Sequence, residues 1–187
     1  MRSHFGSRLE GRFLIYILLM TGNDCYICFD GGALRSPCKC RGTTGYVHGD
    51  CLKESFRVRG DWLNLTCPQC KHKFGGQIGV ELANFALLRV QEEHGNDSTV
   101  YAHALTNLSS AFRTVGDYRK QPELLERALA ILEQEYGPEH VEVAVTLTNL
   151  GCALGDLGDY RKKKELLERA LPILEREYGP EHPEIAG

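Results

Sequence analysis

The chain has 187 residues, 42% of them hydrophobic and 25% charged, and a formal net charge of -3. That length holds one ordinary domain or two small ones. The slight acid excess argues against a broad nucleic-acid surface, which needs clustered Lys and Arg, and no apolar run reaches the roughly 20 residues of a membrane-spanning helix.

The first segment, residues 1–22, places the apolar run 13–20 behind Arg2, Arg8 and Arg12. It superficially resembles the charged and apolar parts of a secretory signal. The cysteine chemistry that follows suits a reducing compartment, so the segment is read as a short packed or poorly ordered leader.

From residue 25 the chain reads Cys25-x2-Cys28-x9-Cys38-x-Cys40-x7-His48-x2-Cys51-x15-Cys67-x2-Cys70. Short Cys-x-x-Cys and His-x-x-Cys steps let one tight turn present two donors to one ion, and tetrahedral zinc takes four thiolate or imidazole donors. Eight donors make two zinc sites. In an interleaved arrangement Cys25, Cys28, His48 and Cys51 share the first ion, and Cys38, Cys40, Cys67 and Cys70 share the second. Cys-x-Cys is a poor disulfide framework, and thiolates persist as ligands where the surroundings are reducing, so a cytosolic or nuclear location is expected. Residues 23–79 carry eight basic and five acidic side chains. That excess cancels once two zinc dications and seven thiolates are counted, so the segment is no basic patch.

The donor order, together with Ile27 inside the first pair, Ser36-Pro37-Cys38-Lys39-Cys40-Arg41-Gly42, Tyr46-Val47-His48, Cys51-Leu52 and Cys67-Pro68-Gln69-Cys70-Lys71, resembles the RING-CH (RING-variant) family of ubiquitin ligases. The PHD finger, a histone-tail reader, shares the donor order. It usually spaces its second pair as Cys-x2-Cys and carries a Trp where this chain has Leu65. The RING-CH resemblance implies a ligase without a covalent intermediate and without a catalytic cysteine, one that binds a ubiquitin-conjugating enzyme and orients its ubiquitin thioester. It assigns conjugating-enzyme contacts to Ile27 and Pro68, and makes Lys71 a hydrogen bonder to ubiquitin. One departure stands out: the family commonly carries a Trp four residues after the sixth donor, where this chain has Ser55. Trp62 is the candidate to supply an aromatic contact instead, with a core position as its other reading.

Residues 80–95 read as an amphipathic connecting or capping helix, with Val80, Ala83, Leu87 and Val90 on one stripe and Gly95 as the stop. A repeat then begins. Thr106-Asn107-Leu108 returns 42 residues later as Thr148-Asn149-Leu150, and Gly116-Asp117-Tyr118-Arg119-Lys120 returns as Gly158-Asp159-Tyr160-Arg161-Lys162. Apolar residues at helical spacing in each unit define helix pairs, with Gly-Asp between the two helices as stop and cap. The motifs resemble the tetratricopeptide (TPR) repeats of kinesin light chains. Repeat 1 is assigned to residues 97–140, repeat 2 to residues 141–182, and residues 183–187 to the start of a truncated third. Pro122 predicts a late start or a kink in the second helix of repeat 1, because proline inside a helix costs about 3 kcal/mol.

The expected fold is a small zinc-stabilised cross-brace domain, residues 23–75, followed by an all-α TPR-like array. The leading function is a ubiquitin ligase of RING-CH type that takes a conjugating enzyme and ubiquitin on its zinc domain and a peptide or protein partner on its repeats. Asn107 and Asn149 are the candidate partner-binding ladder, since Asn can both donate to and accept from a peptide backbone. The competing reading is a non-enzymatic zinc-binding TPR adaptor.

Overall fold

A computed structural model describes residues 25–29, 31–41 and 45–179 of the chain. The leader assigned to residues 1–22 and the third-repeat start at 183–187 lie outside the described residues.

The cysteine-rich segment is built from turns, because it has few large apolar residues to bury. Strand β1, Leu34–Arg35, pairs antiparallel with β2, Val47–His48, in the register Leu34 to His48 and Arg35 to Val47. Helix α1, Gly49–Arg59, starts directly after His48 and buries Leu52 and Phe56, one turn apart on one face. Gly60 ends it in the left-handed conformation at φ 69°, its N–H donating to the Phe56 carbonyl. A short hairpin follows, with the Cys67 N–H on the His72 carbonyl (2.9 Å) and the Phe74 N–H on the Leu65 carbonyl (2.9 Å). The two Cys-x-x-Cys turns share one geometry. Phe29 (φ 62°) and Lys71 (φ 60°) are left-handed, and each returns its N–H to the carbonyl of the first cysteine of its pair, Cys25 or Cys67. A non-glycine residue held there costs on the order of 1–2 kcal/mol, so the surroundings must impose it.

Five further helices form the array: α2, Gly76–His94; α3, Thr99–Thr114; α4, Gln121–Tyr136; α5, Val141–Asp156; and α6, Tyr160–Tyr178. Successive helices pack against one another as antiparallel neighbours joined by short turns. Helix α2 starts earlier than its stripe suggests, at Gly76, because Gly79 lets its first turn lie against the backbone of Phe74. A Cβ on Gly79 would stand 2.5 Å from the Phe74 carbonyl oxygen. The turn chemistry is repeated between units. Gly116 (φ 76°) and Gly158 (φ 89°) are left-handed, and the next N–H, from Asp117 or Asp159, reaches back to the carbonyl of Phe112 or Leu154.

The repeats diverge where Pro122 stands. Asp159 caps α6 by accepting from the Lys162 N–H (3.1 Å), whereas Asp117 makes no such bond. A 3-10 turn, Tyr118–Lys120, comes first, and α4 begins at Gln121 with the proline in its opening turn, where a missing N–H is harmless. Pro172 has no such refuge and lies inside α6, at the place Ala130 holds in α4. The core runs through the array as Val90, Tyr101, Leu105, Leu132, Val143, Leu147 and Ile173. Gln121 is buried with its Nε2 unpaired. Such a group costs about 1–3 kcal/mol.

Candidate metal centre

The turns gather the eight donors into two groups. Cys25, Cys28, His48 and Cys51 form one and Cys38, Cys40, Cys67 and Cys70 the other, with the ligand atoms of each group within 4.8 Å of one another. A zinc tetrahedron with Zn–S near 2.3 Å and Zn–N near 2.0–2.1 Å has edges of about 3.6–3.8 Å. The separations suit it: Cys40 Sγ to Cys67 Sγ is 3.7 Å, and His48 Nδ1 lies 3.3 Å from Cys28 Sγ and 3.8 Å from Cys51 Sγ. Chemistry and spacing of both donor sets fit zinc.

His48 faces the thiols through Nδ1 while its Nε2 sits 3.2 Å from the Gly31 carbonyl. An N–H at Nε2 donating to that carbonyl leaves the Nδ1 lone pair free for metal, the usual orientation device for a ligating imidazole. Gly32 matters here, since its φ of 130° suits glycine and a Cβ would come within 3.3 Å of that same Nε2.

The thiols are unequal. Burial opposes ionisation of Cys25, but the amides of Cys28, His48 and Ile27 bring it down to about 7. The His72 amide brings Cys70 down to about 6. Burial pushes Cys51 up to about 12, with Cys28 and Cys25 adding to it, and burial raises Cys38 and Cys40 as well. Cys25 in the first group thus ionises readily beside a Cys51 that resists, and Cys70 in the second beside Cys38 and Cys40 that resist, a resistance that a dication at the centre removes. Burial, followed by the Cys67, Cys38 and Cys40 charges, pushes Tyr26 up to about 12.

The contact candidates fall in different settings. Ile27 is half-buried inside the first turn, and Pro68 and Lys71 are exposed on the second. Ser55 is exposed on α1. Trp62 is in the joint between the two modules: its ring meets Phe56 at 5.7 Å and Phe85 of α2 at 5.9 Å, both edge-on, and its Nε1 donates to Glu93 at 2.9 Å. The core position is the one it occupies. Asn107 donates through Nδ2 to the Leu63 carbonyl at 3.0 Å, so its amide is engaged with the zinc module, while Asn149 is half-buried on α5. Arg113 and Asp156, neighbours of that ladder, pair with each other at 3.3 Å.

The joint itself gave no signal in the sequence. Glu81 of α2 reaches Arg35 at 2.6 Å and Lys53 at 3.3 Å. One continuous core runs from Cys25, Leu52, Phe56 and Phe74 to Leu108 and Ala111 of α3. Helix periodicity shows which face is apolar but not what covers it.

Residues 25–70 match the RING-variant domain, and residues 102–142 and 123–175 match tetratricopeptide repeats. E3 ubiquitin-protein ligase MARCHF7 of Pongo abelii is 32% identical over 90 residues, covering 43% of this chain and 12% of its own. E3 ubiquitin-protein ligase MARCHF11 of Homo sapiens is 40% identical over 53 residues, covering 27% of this chain and 12% of its own. The chain thus spans about an eighth of the length of these curated relatives. Among solved structures, a Podosopora anserina protein of the kinesin light chain type with nearly identical TPR-like repeats aligns at a TM-score of 0.55 and 20% identity, over 73% of this chain and 58% of its own. BtubC (BKLC) from P. vanneervenii aligns at 0.53 and 21%, over 74% and 49%. The chain combines a RING-variant cysteine and histidine domain with a tetratricopeptide-repeat array of kinesin-light-chain-like fold.

Proposed function

We propose that this chain acts as a ubiquitin ligase of RING-variant type, its zinc domain binding a ubiquitin-conjugating enzyme and its repeats a protein partner. The observation that carries the reading is the pair of interleaved donor groups, which set Ile27 and Pro68 on two turns of matching geometry. Two zinc ions bound there would be structural, fixing the turns without acting on the substrate. Ile27 and Pro68 offer an apolar contact to the conjugating enzyme, and exposed Lys71 offers its ammonium to ubiquitin. The acceleration comes from holding the thioester in a reactive pose. The thiolates suit a reducing compartment, cytosolic or nuclear.

The partner face we assign to the first helices of the repeats, α3 and α5, with Asn149 as its backbone-pairing residue. Asn107 has less to offer there, because one of its two amide N–H groups is engaged by the Leu63 carbonyl. A specific observation favours the second reading, a non-enzymatic adaptor: Ser55 replaces the usual aromatic, and Trp62 is enclosed between Phe56 and Phe85.

The deciding experiment is single-turnover discharge of ubiquitin from a panel of charged conjugating enzymes onto free lysine. Wild-type protein is expected to accelerate at least one, and Ile27→Ala to remove that acceleration with zinc content and helicity intact. No acceleration anywhere in the panel establishes the adaptor.

A further inference from the structure

Helix α1 has three flanks, and each meets different surroundings. Leu52 and Phe56 are buried in the shared core. Lys53 stands 3.3 Å from Glu81, so α2 takes the second flank. The third carries Cys51, Ser55 and Val58, which at steps of four and three residues share one stripe of the helix. Beyond Cys51 that stripe is open. Ser55 is exposed, and Val58, at 75%, is the most exposed large hydrophobic residue among those described.

Both ends of the stripe are tied to the turns that carry Ile27 and Pro68. Cys51 joins Cys25 and Cys28 in the first donor group, and Ile27 stands between those two cysteines in the chain. At the far end Arg59, next to Val58, lies 4.9 Å above the Phe56 ring and donates to the carbonyls of Asn64 and Thr66, the latter two residues ahead of Pro68. Tyr46, 37% exposed, lies beside the first turn, its carbonyl accepting from the Tyr26 N–H at 3.1 Å. Valine at position 58 gains α1 nothing, because a β-branched side chain loses rotamer freedom in a helix and here packs against little. A lone exposed apolar residue is ordinary, as Leu88 of α2 shows: it is 58% exposed and flanked by Asn84, Gln91 and Glu92. Val58 differs in standing on the one open flank of α1, in line with a donor of the first group.

Resting on the ligase reading above and deepening it, we propose that Val58 is the apolar contact that α1 makes with the ubiquitin-conjugating enzyme, completing the surface begun by Ile27 and Pro68. Neither Ser55, which is small and polar, nor Trp62, which is enclosed between Phe56 and Phe85, offers such a contact on this flank. An apolar side chain of the enzyme passes over Ser55 and rests on Val58, one turn further along the helix. The contact lies away from the thioester and is the same before and during the reaction, so it serves binding and leaves the chemical step alone.

The test uses the full zinc-loaded chain and a conjugating enzyme active in the discharge panel, with the rate of discharge onto free lysine measured as the conjugating enzyme is titrated. Val58→Ser is expected to raise the half-saturating concentration about fivefold or more and to leave the maximal rate within about twofold, with zinc content and helicity unchanged. Val58→Leu should hold wild-type half-saturation, and Leu88→Ser, the same change of polarity at an exposed site on α2, should have no effect. Unchanged half-saturation in Val58→Ser, while Ile27→Ala still removes discharge, would overturn the proposal and leave the ligase reading standing. So would an equal loss in Leu88→Ser, or a fall in zinc content or helicity in Val58→Ser, which would make the valine structural. Absence of discharge from wild-type protein instead removes the ligase reading, and this proposal with it.

Discussion

The zinc module and the repeat array solve opposite problems. In the module, described residues with large buried apolar side chains are few, mainly Val47, Leu52, Phe56, Leu65 and Phe74, and its backbone is held in turns that include two left-handed non-glycine residues. The array is a run of helices joined by short turns around a seam of Leu, Val and Ala, each helix covering its neighbour. The donor sets of the first suit metal ligation as its source of stability, whereas apolar burial stabilises the second, at about 1.5–3 kcal/mol per buried large side chain. The difference shows where each is fragile, and the joint is where the two kinds of stability meet.

The largest effect follows from removing metal. Structural zinc contributes about 10–16 kcal/mol in zinc-finger peptides, more than the whole stability of a typical domain. Metal analysis is expected to give two zinc ions per chain, and Cys25→Ser or Cys67→Ser to lose one site together with the module's fold. One equivalent or none, with thiols paired as disulfides, would set the comparison aside. Because Cys51, Cys38 and Cys40 hold their protons when metal-free, zinc uptake at neutral pH should release protons, and acid should expel the metal.

Next comes Phe56, which packs in the module and against Trp62. Phe56→Ala is expected to cost about 3–5 kcal/mol in denaturant unfolding and to lower helix content as well as zinc affinity. A loss confined to zinc affinity would mean that the modules are independent. Asn107→Ala should cost about 1–3 kcal/mol, since it leaves the Leu63 carbonyl without its donor. The smallest effect belongs to Glu81. Its hydrogen bond from Arg35, aided by Lys53, holds its carboxyl below the ordinary value. The contribution is thus present above about pH 4.3 and lost as pH falls through the lower folded value. Glu81→Gln should cost no more than about 1 kcal/mol at neutral pH and flatten the acid limb of the stability curve.

Local signals were legible and distant ones were not. Donor spacing sorts the cysteines into the same two groups that the turns bring within 4.8 Å, because each Cys-x-x-Cys step fixes its own turn. The 42-residue recurrence discloses the helix pairs, and Pro122 announces the late start of α4. Asp117 reads as a cap like Asp159, but the 3-10 turn ahead of Pro122 removes the N-terminus it would serve. Pro172 escapes notice because the repeat around it stays intact, and the helix continues past it. Across the joint, the contacts of Trp62 with Phe85 and Glu93, of Glu81 with Arg35 and of Asn107 with Leu63 join residues 23 to 46 positions apart, beyond any periodicity.

The zinc module and the first helices of the array, α2 and α3, are joined through one shared core. Amide hydrogen exchange of the full chain, with zinc and after complete chelation, tests this directly. The expected result is that chelation removes protection from residues 78–86 of α2 and 108–112 of α3 while α5 and α6 keep more of theirs. Unchanged protection in α2 and α3 once all the metal has been removed would contradict it.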